Sequence, residues 1–471
     1  MLCPGGCRLA GYPRSGTDSR LTGARAECGW ALCKRTCNNN LFRQAVQCAC
    51  AWRGRIGPPP RPPSRSFITN GCRIVSRDRS NIRYGLAAVA FGLTLAIAMV
   101  ETIPRLLPGL MPAKLRTVQR IYDARSSWQD MMRGDRELGF VLKPDLDLSF
   151  PSEGRSIAIR TVDLGVDGIG HRDVGTKAPY QAVALGDSFT FCDDTMAETC
   201  WVKLLSDRTG VSFANVGVNG YSTLAEARML EKIGPKLSPR LVLVGFFPND
   251  FKDNVHFYHW SQSGTDDYWT WMRRKRRSDV SDTLARHSIL YRLVDAARRY
   301  GKRTTYAHHE DGLDFVFRAD EWWSGVVARA GVTPTYALTE QAFDELATTA
   351  DRLGTALVVL LFPFKEQVYW DIARQYHPDG ATLDEAAIDG PLDRVASYLD
   401  EIGVGYCDLT ADLRAGARRG EQLYLRAGAH WTDAGNELAA RSIEDCLTEK
   451  GLLEALESSE GESFGVAGGL A

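Results

Sequence analysis

Ala182-Val-Ala-Leu-Gly-Asp-Ser-Phe-Thr190 is the stretch on which the reading of this chain turns. Residues 182–185 form a short apolar run, as expected of a strand buried on both faces. The run stops at Gly186, and an acidic helical segment follows Asp187 and Ser188. A serine on the turn after a buried parallel strand lies at the carboxyl edge of a sheet, where open α/β folds place their chemistry. Ser188 is therefore a candidate nucleophile. The plainer alternative is a residue that caps the following helix, as Ser and Asp often do.

Downstream of residue 181 the chain alternates. Strands are expected at 182–185, 211–216, 241–247, 356–362 and 404–407, with helices at 197–208, 223–233, 340–353, 391–402 and 433–447. Such alternation implies a three-layer α/β/α sandwich around a mostly parallel five-stranded sheet, within a domain spanning 181–450. Upstream, 145–150 and 157–162 alternate in polarity and read as half-exposed strands. Gly165, Gly168 and Gly170 supply a return turn before His171-Arg-Asp173, so 137–180 forms a small β-rich lead-in.

The rhythm breaks over about 251–337. His256-Phe-Tyr-His-Trp260, Tyr268-Trp-Thr-Trp271 and Glu321-Trp-Trp323 are dense in aromatics, Arg273-Arg-Lys-Arg-Arg277 is basic, and 284–299 looks helical. An insertion of this length often serves as a lid or binding surface, and exposed tryptophans stack on sugar rings. The competing reading is a satellite core with a solvated basic face.

The near-zero net charge hides an asymmetry. Residues 1–83 carry fifteen Lys/Arg against three Asp/Glu, which leaves 42 against 55, a net of −13, for the rest. That acidic remainder argues against a nucleic-acid partner, since phosphate binding needs a basic face. The first 83 residues are also rich in Cys and Pro and lack an apolar period, so they read as a disordered extension or as sequence upstream of the true start. Their cysteines do not form the paired Cys-x2-Cys units of a zinc site. Residues 84–100 are an uncharged, mostly apolar run preceded by Arg77, Arg79 and Arg83. This reads as a transmembrane anchor with its N-terminus inside, placing the remainder outside the cytoplasm; cleavage near Ala98 is the alternative. An amphipathic stalk helix over 101–136 and a disordered tail over 451–471 complete the outline. Cys192, Cys200, Cys407 and Cys446 suggest no obvious disulfide framework.

Four segments carry chemistry. They are Gly186-Asp-Ser-Phe-Thr190, Asn215-Val-Gly-Val-Asn-Gly-Tyr-Ser-Thr223, Gly245-Phe-Phe-Pro-Asn-Asp-Phe251 and His430-Trp-Thr-Asp-Ala-Gly435. In a parallel sheet such strand-end segments converge on one edge. Ser188 suits attack on a carbonyl carbon, and His430 suits the general base because imidazole titrates near neutrality. Ser188 N–H, Gly220 N–H and the Asn249 side-chain amide are the natural oxyanion donors.

Together these segments resemble the SGNH/GDSL hydrolase family, named for its Ser, Gly, Asn and His, and they occur in the family's order. Gly139-Phe140, Lys143-Pro144 and Gly168 to Arg172 extend the likeness to a membrane-anchored, exported branch. The resemblance implies Ser188 as nucleophile, Gly220 and Asn249 as oxyanion donors, and His430 as base. It also implies a serine esterase acting on O-acyl esters, O-acetyl among them, outside the cytoplasm, without cofactor or metal. An O-acetyltransferase acting on an envelope or secreted polysaccharide is the close alternative. The family normally places an Asp two or three residues before the histidine, where this chain has Gly428 and Ala427. Three expectations follow: a Ser–His dyad, a substitute acid such as Asp408, or a catalytically weakened carbohydrate-binding protein.

Overall fold

The computed structural model describes residues 79–458, apart from 113–114, 117, 120–121, 123–129, 277–278, 301–304, 319–332, 378–379 and 381–383. Residues 1–78 of the expected 1–83 extension, Glu321-Trp-Trp323 and the last residues of the tail lie outside the described residues, while 79–83 belong to a helix rather than to the extension. Helix α1 (Arg79–Leu106) is followed by strands β1 (Met132–Asp135), β2 (Gly139–Leu142), β3 (Asp147–Ser152), β4 (Arg155–Asp163) and β5 (Gly170–Arg172). The alternating part begins with β6 (Ala182–Gly186), the short helix α2 (Ser188–Phe191), α3 (Trp201–Thr209), β7 (Phe213–Asn215), α4 (Thr223–Leu237) and β8 (Leu241–Phe246). Helices α5 (Asp250–Ser261), α6 (Tyr268–Arg276), α7 (Asp279–His287) and α8 (Ile289–Tyr300) come next, then a hairpin of β9 (Thr305–Glu310) and β10 (Leu313–Arg318). The alternation resumes with α9 (Thr333–Leu353), β11 (Ala356–Leu361), α10 (Glu385–Glu401), β12 (Gly405–Asp408), α11 (Thr410–Arg418), α12 (Asp433–Glu449) and α13 (Leu452–Ser458).

Five strands pair in parallel in the order β7-β6-β8-β11-β12. Counted along the chain this is 2-1-3-4-5, the flavodoxin-like order, whose reversal point lies between β6 and β8. The apolar strand runs are explained by burial on both faces. Val183 and Leu185 of β6 point into one core cluster and Ala182 and Ala184 into the other. Helices α4, α9 and α10 cover the first face, through Met229, Phe343 and Val395 among others. Helices α3 and α12 cover the second, through Trp201, Leu205 and Ile443.

The sheet is larger and more mixed than the sequence suggests. Strand β5 pairs antiparallel with β7, β2 with β5, and β1 with β2, while β4 joins β5 to β3, giving ten strands in all. The lead-in is thus an extension of the central sheet. It takes the outer edge of β7 and hides a row of backbone donors and acceptors that would otherwise be exposed.

Several expectations need correction. The 101–136 stalk is not one helix: α1 ends at Leu106, a 3-10 turn covers Pro108–Leu110, and β1 begins at Met132. Pro391 does not open its helix but lies inside α10, which starts six residues earlier and is capped by the Asp384 side chain on Ala387 N–H at 2.9 Å. The tail is ordered through α13: Leu456 is buried in the second core, and the carbonyls of Ala455 and Leu456 accept from Arg240 at 2.6 and 2.5 Å. The scattered cysteines form two disulfides among the described residues, Cys192–Cys200 and Cys407–Cys446. The second spans 39 positions and joins β12 to α12, a contact that only the tertiary fold creates.

Several described aromatics of the insertion form core, while Tyr258 is exposed. Trp260 and Tyr268 are buried, and Tyr268 and Trp269 pack on Phe140 of β2 at ring distances of 5.5 and 4.9 Å. The side chains of Arg273-Arg-Lys-Arg-Arg277 lie outside the described residues. At the other end, residues 83–106 of α1 are apolar, unburied and long enough to cross a membrane. The foot of that helix is tied to the insertion. Glu101 accepts from Ser288 Oγ at 2.6 Å and from the backbone N–H groups of Ile289 and Leu290 at 3.0 Å, capping the start of α8.

Candidate active site

Ser188 opens α2 directly after β6. The capping role belongs to its neighbour: Asp187 Oδ1 accepts from Phe189 N–H at 2.8 Å. The Ser188 hydroxyl is left to face His430, with Oγ 2.9 Å from Nε2. The turn that makes this possible is tight at Gly186. A Cβ there would lie 2.0 Å from Thr190 Oγ1, so no larger residue fits between β6 and the first turn of α2.

His430 sits in a narrow loop just before α12. Tyr424 and Trp431 form an antiparallel bridge, Leu425 N–H donates to His430 O at 2.9 Å, and Thr432 caps α12 through Gly435 N–H at 3.1 Å. Two charged side chains brace the loop from outside. Buried Lys365 donates to the carbonyls of Leu425, Arg426 and Gly428, the last at 2.9 Å. Glu153, at the tip of the β3–β4 hairpin, accepts from the N–H groups of Arg426 and Ala427 at 3.1 and 2.9 Å. The place where a family acid is expected is thus a backbone turn held by its own partners.

A carboxylate does reach the ring. Asp194 Oδ2 lies 2.9 Å from His430 Nδ1, completing a Ser188–His430–Asp194 chain. Asp408 is not that acid. It ends β12, three places from β6 in the sheet order, and its Oδ1 accepts from Thr410 N–H at 2.8 Å. A residue at the far edge of the sheet is on the wrong side of it to meet the nucleophile. Asp194 comes instead from the loop directly after α2. The signal in the sequence was the Asp193-Asp194 pair six residues beyond Ser188, between Cys192 and Cys200.

The electrostatics favour the charged form of this pair. Burial alone would depress the His430 pKa, but the Asp194 hydrogen bond and the charges of Asp193, Asp194 and Asp187 raise it to about 9. Burial pushes Asp194 upward, but the hydrogen bond and charge of His430, the Ser152 hydroxyl and the Arg155 guanidinium outweigh it and hold the carboxyl below its ordinary value. Asp193, half-buried beside them, is raised to about 7 chiefly by desolvation. It accepts from Asn219 Nδ2 at 2.6 Å, linking the acid loop to the turn that carries Gly220. Asp193, Asp194 and His430 bring one potential ligand atom each within 4.8 Å of one another, so the set that could hold a metal ion is the same set that carries the hydrogen-bonded pair.

Gly220 lies exposed in the turn between β7 and α4 with φ +84, a backbone state that glycine adopts without strain, and a Cβ there would meet no atom within 4 Å. Asn249 follows β8. Its amide N–H groups are occupied, donating to Asp187 Oδ2 at 3.1 Å and Asp253 Oδ2 at 3.2 Å. The remaining histidine pairs in the sequence have ordinary partners: His256 Nδ1 lies 3.4 Å from Asp253, His308 bonds the Tyr376 hydroxyl, and His309 pairs with Asp314.

The family model of the SGNH hydrolase-like domain, acetyltransferase AlgX, matches residues 314–465, which include Lys365, the His430 loop and α12. That match covers less than half of the chain and supports a likeness to the SGNH hydrolase family. No curated protein matches the chain. Solved structures with some likeness to it include a lipolytic G-D-S-L family protein from Veillonella parvula, 14% identical, covering 57% of this chain and 97% of that one with a TM-score of 0.32. Another is an acetyl xylan esterase, AlAXEase, 13% identical, covering 56% of this chain and 99% of that one with a TM-score of 0.30. At that level of likeness the activities of those proteins carry nothing over to this chain. The order of its parallel strands and its Ser188–His430–Asp194 chain stand on their own distances.

Proposed function

We propose that this protein is a serine esterase that cleaves O-acyl esters through a seryl intermediate. The observation that carries the reading is the unbroken hydrogen-bond chain from Ser188 Oγ through His430 to Asp194, 2.9 Å at each link. His430 Nε2 takes the Ser188 proton as Oγ attacks the acyl carbon, and Asp194 stabilises the imidazolium and fixes its tautomer. Ser188 N–H and Gly220 N–H receive the developing oxyanion, joined by Asn249 when its amide turns from Asp253. Collapse of that intermediate expels the alcohol, which takes the proton held by His430. Water, activated by the same imidazole, then attacks the acyl-serine and regenerates Ser188.

Transfer to a sugar hydroxyl is the second reading, favoured by the match to a model described as an acetyltransferase. It uses the same acyl-enzyme with another acceptor. The substrate is then an acylated polysaccharide, and no nucleic acid is involved. In this reading α1 is an anchor with its arginines inside and the site outside the cytoplasm, a compartment that suits two disulfides. The idea of an inactive binding protein rested on a missing acid, and Asp194 removes that reason for it.

The test is labelling of the full chain with a fluorophosphonate, alongside turnover of p-nitrophenyl acetate. Labelling at Ser188 that is lost in Ser188→Ala and slowed in His430→Ala is the expected result. Absence of both labelling and turnover in the native chain overturns the esterase reading.

A further inference from the structure

Asp194 occupies no regular element, and its backbone is strained. Cys192 and Asp194 both have positive φ, +58 and +65, a region that costs a non-glycine residue about 1 kcal/mol. Something must hold the loop in that form. Arg172, on β5, is fully buried beneath it. Its Nη1 donates to the carbonyls of Phe191 and Cys192, and its Nη2 to that of Thr195, so one guanidinium grips the loop on both sides of Asp194. The Cys192–Cys200 disulfide closes the same loop covalently. Asn215 Nδ2, paired in register with Arg172, holds Thr190 O at 2.8 Å, and Asn436 Nδ2 meets Thr195 Oγ1 at 3.3 Å.

We propose that Arg172 and the Cys192–Cys200 disulfide are the positioning device of this site, holding the strained 192–195 loop so that the Asp194 carboxylate faces His430. Burying a guanidinium without a direct carboxylate partner is costly, and this one places its N–H groups on three carbonyls of a single loop. Desolvation lowers its pKa to about 10, and the nearby charges of Asp193 and Glu198 offset that only in part. A lysine ammonium supplies the charge but not the fork. The β-rich lead-in, which supplies none of Ser188, Gly220, Asn249 and His430, delivers Arg172 under the acid loop.

This inference rests on the reading of Ser188, His430 and Asp194 as a catalytic set, and its test separates the two. The His430 ring is followed by NMR titration in the full chain, and fluorophosphonate labelling is measured across pH. The variants are Arg172→Gln, Arg172→Lys and the double Cys192→Ser/Cys200→Ser, with Asp194→Asn as reference. The charges facing His430 are Asp193, Asp194 and Asp187, and all three are kept in the first three variants. Arg172→Gln also removes a positive charge beside Asp193, which by itself raises the His430 pKa, so a fall reports lost placement. Arg172→Gln and the double serine variant are expected to lower the His430 pKa by about one unit or more, towards Asp194→Asn. They are also expected to slow labelling by roughly 10-fold to 100-fold. Arg172→Lys recovers only part of the loss. Cys407→Ser/Cys446→Ser, which removes the other disulfide, lowers the unfolding temperature and leaves the His430 titration in place. A His430 titration unchanged from native in folded Arg172→Gln or in the double serine variant overturns the proposal. If His430 responds as expected while native Ser188 takes no label, the positioning role stands and the esterase reading falls.

Discussion

At the scale of single residues, His430 governs the pH dependence. Its pKa, raised to about 9 by Asp194 and the neighbouring carboxylates against the opposing effect of burial, leaves the ring charged at neutral pH in the free enzyme. Only the neutral ring accepts the Ser188 proton, so kcat/KM is expected to rise with pH towards a limb near that value. Asp194→Asn removes the hydrogen bond and the charge that hold the proton on the ring. The limb then moves to lower pH, while kcat falls by roughly 10² to 10⁴, because the tautomer and the imidazolium lose their support. A pH profile of kcat/KM checks both signs. A limb that stays put in Asp194→Asn contradicts the assignment of Asp194 as the acid.

At the scale of elements, two loops meet at the site, and each is held by a buried cation acting on carbonyl groups. Arg172 holds the loop after α2, and Lys365 holds the loop before α12. Carbonyls converging on one ammonium are satisfied in the fold, and removing the ammonium leaves them to find other partners. Lys365→Met is therefore expected to cost about 1.5–3 kcal/mol of stability, read as a shift of the urea midpoint. It also slows Ser188 labelling, since the His430 ring is carried by that loop. A midpoint within experimental scatter of the native chain refutes the bracing role of Lys365.

At the scale of the whole molecule, the sheet's reversal point between β6 and β8 holds a concentration of buried carboxyls. Glu226 and Asp250 are fully buried and raised well above their ordinary values, chiefly by desolvation, and both Glu226 oxygens lack a hydrogen-bond partner among the described residues. Asp187 is raised to about 6 for the same reason. A carboxyl whose pKa is higher folded than unfolded contributes fully at acid pH, and its contribution is lost as pH rises above the unfolded value. His430 acts in the same direction, its contribution fading between about 6.5 and 9. Asp135 and Asp194, held low by their partners, act oppositely and lose their contribution as pH falls through the acid range. Glu226→Gln removes one proton from this balance. Its stability relative to the native chain is expected to grow with pH above about 5, by up to about 1.4 kcal/mol per unit. Urea unfolding at pH 5, 7 and 9 measures this, and a gap that does not widen with pH shows Glu226 to be ionised in the fold.

What the sequence determined by itself was the parallel core and the Ser188–His430 pair. Buried parallel strands are uniformly apolar and helices between them are amphipathic, so β6, β8 and β11 announce themselves within local windows. Ser188 and His430 stand at the ends of such elements, in short patterns that the resemblance recognises. The acid, the loop braces and the disulfides are different in kind. Asp194 meets His430 across 236 positions, Arg172 reaches its loop from an antiparallel strand, and Cys407 finds Cys446 only when α12 lies against β12. None of these has a local period or a fixed spacing, because each depends on where the sheet order places two distant segments. The tertiary structure decided that the missing carboxylate would come from the loop after α2, since that loop, unlike β12, directly follows the short helix that Ser188 opens.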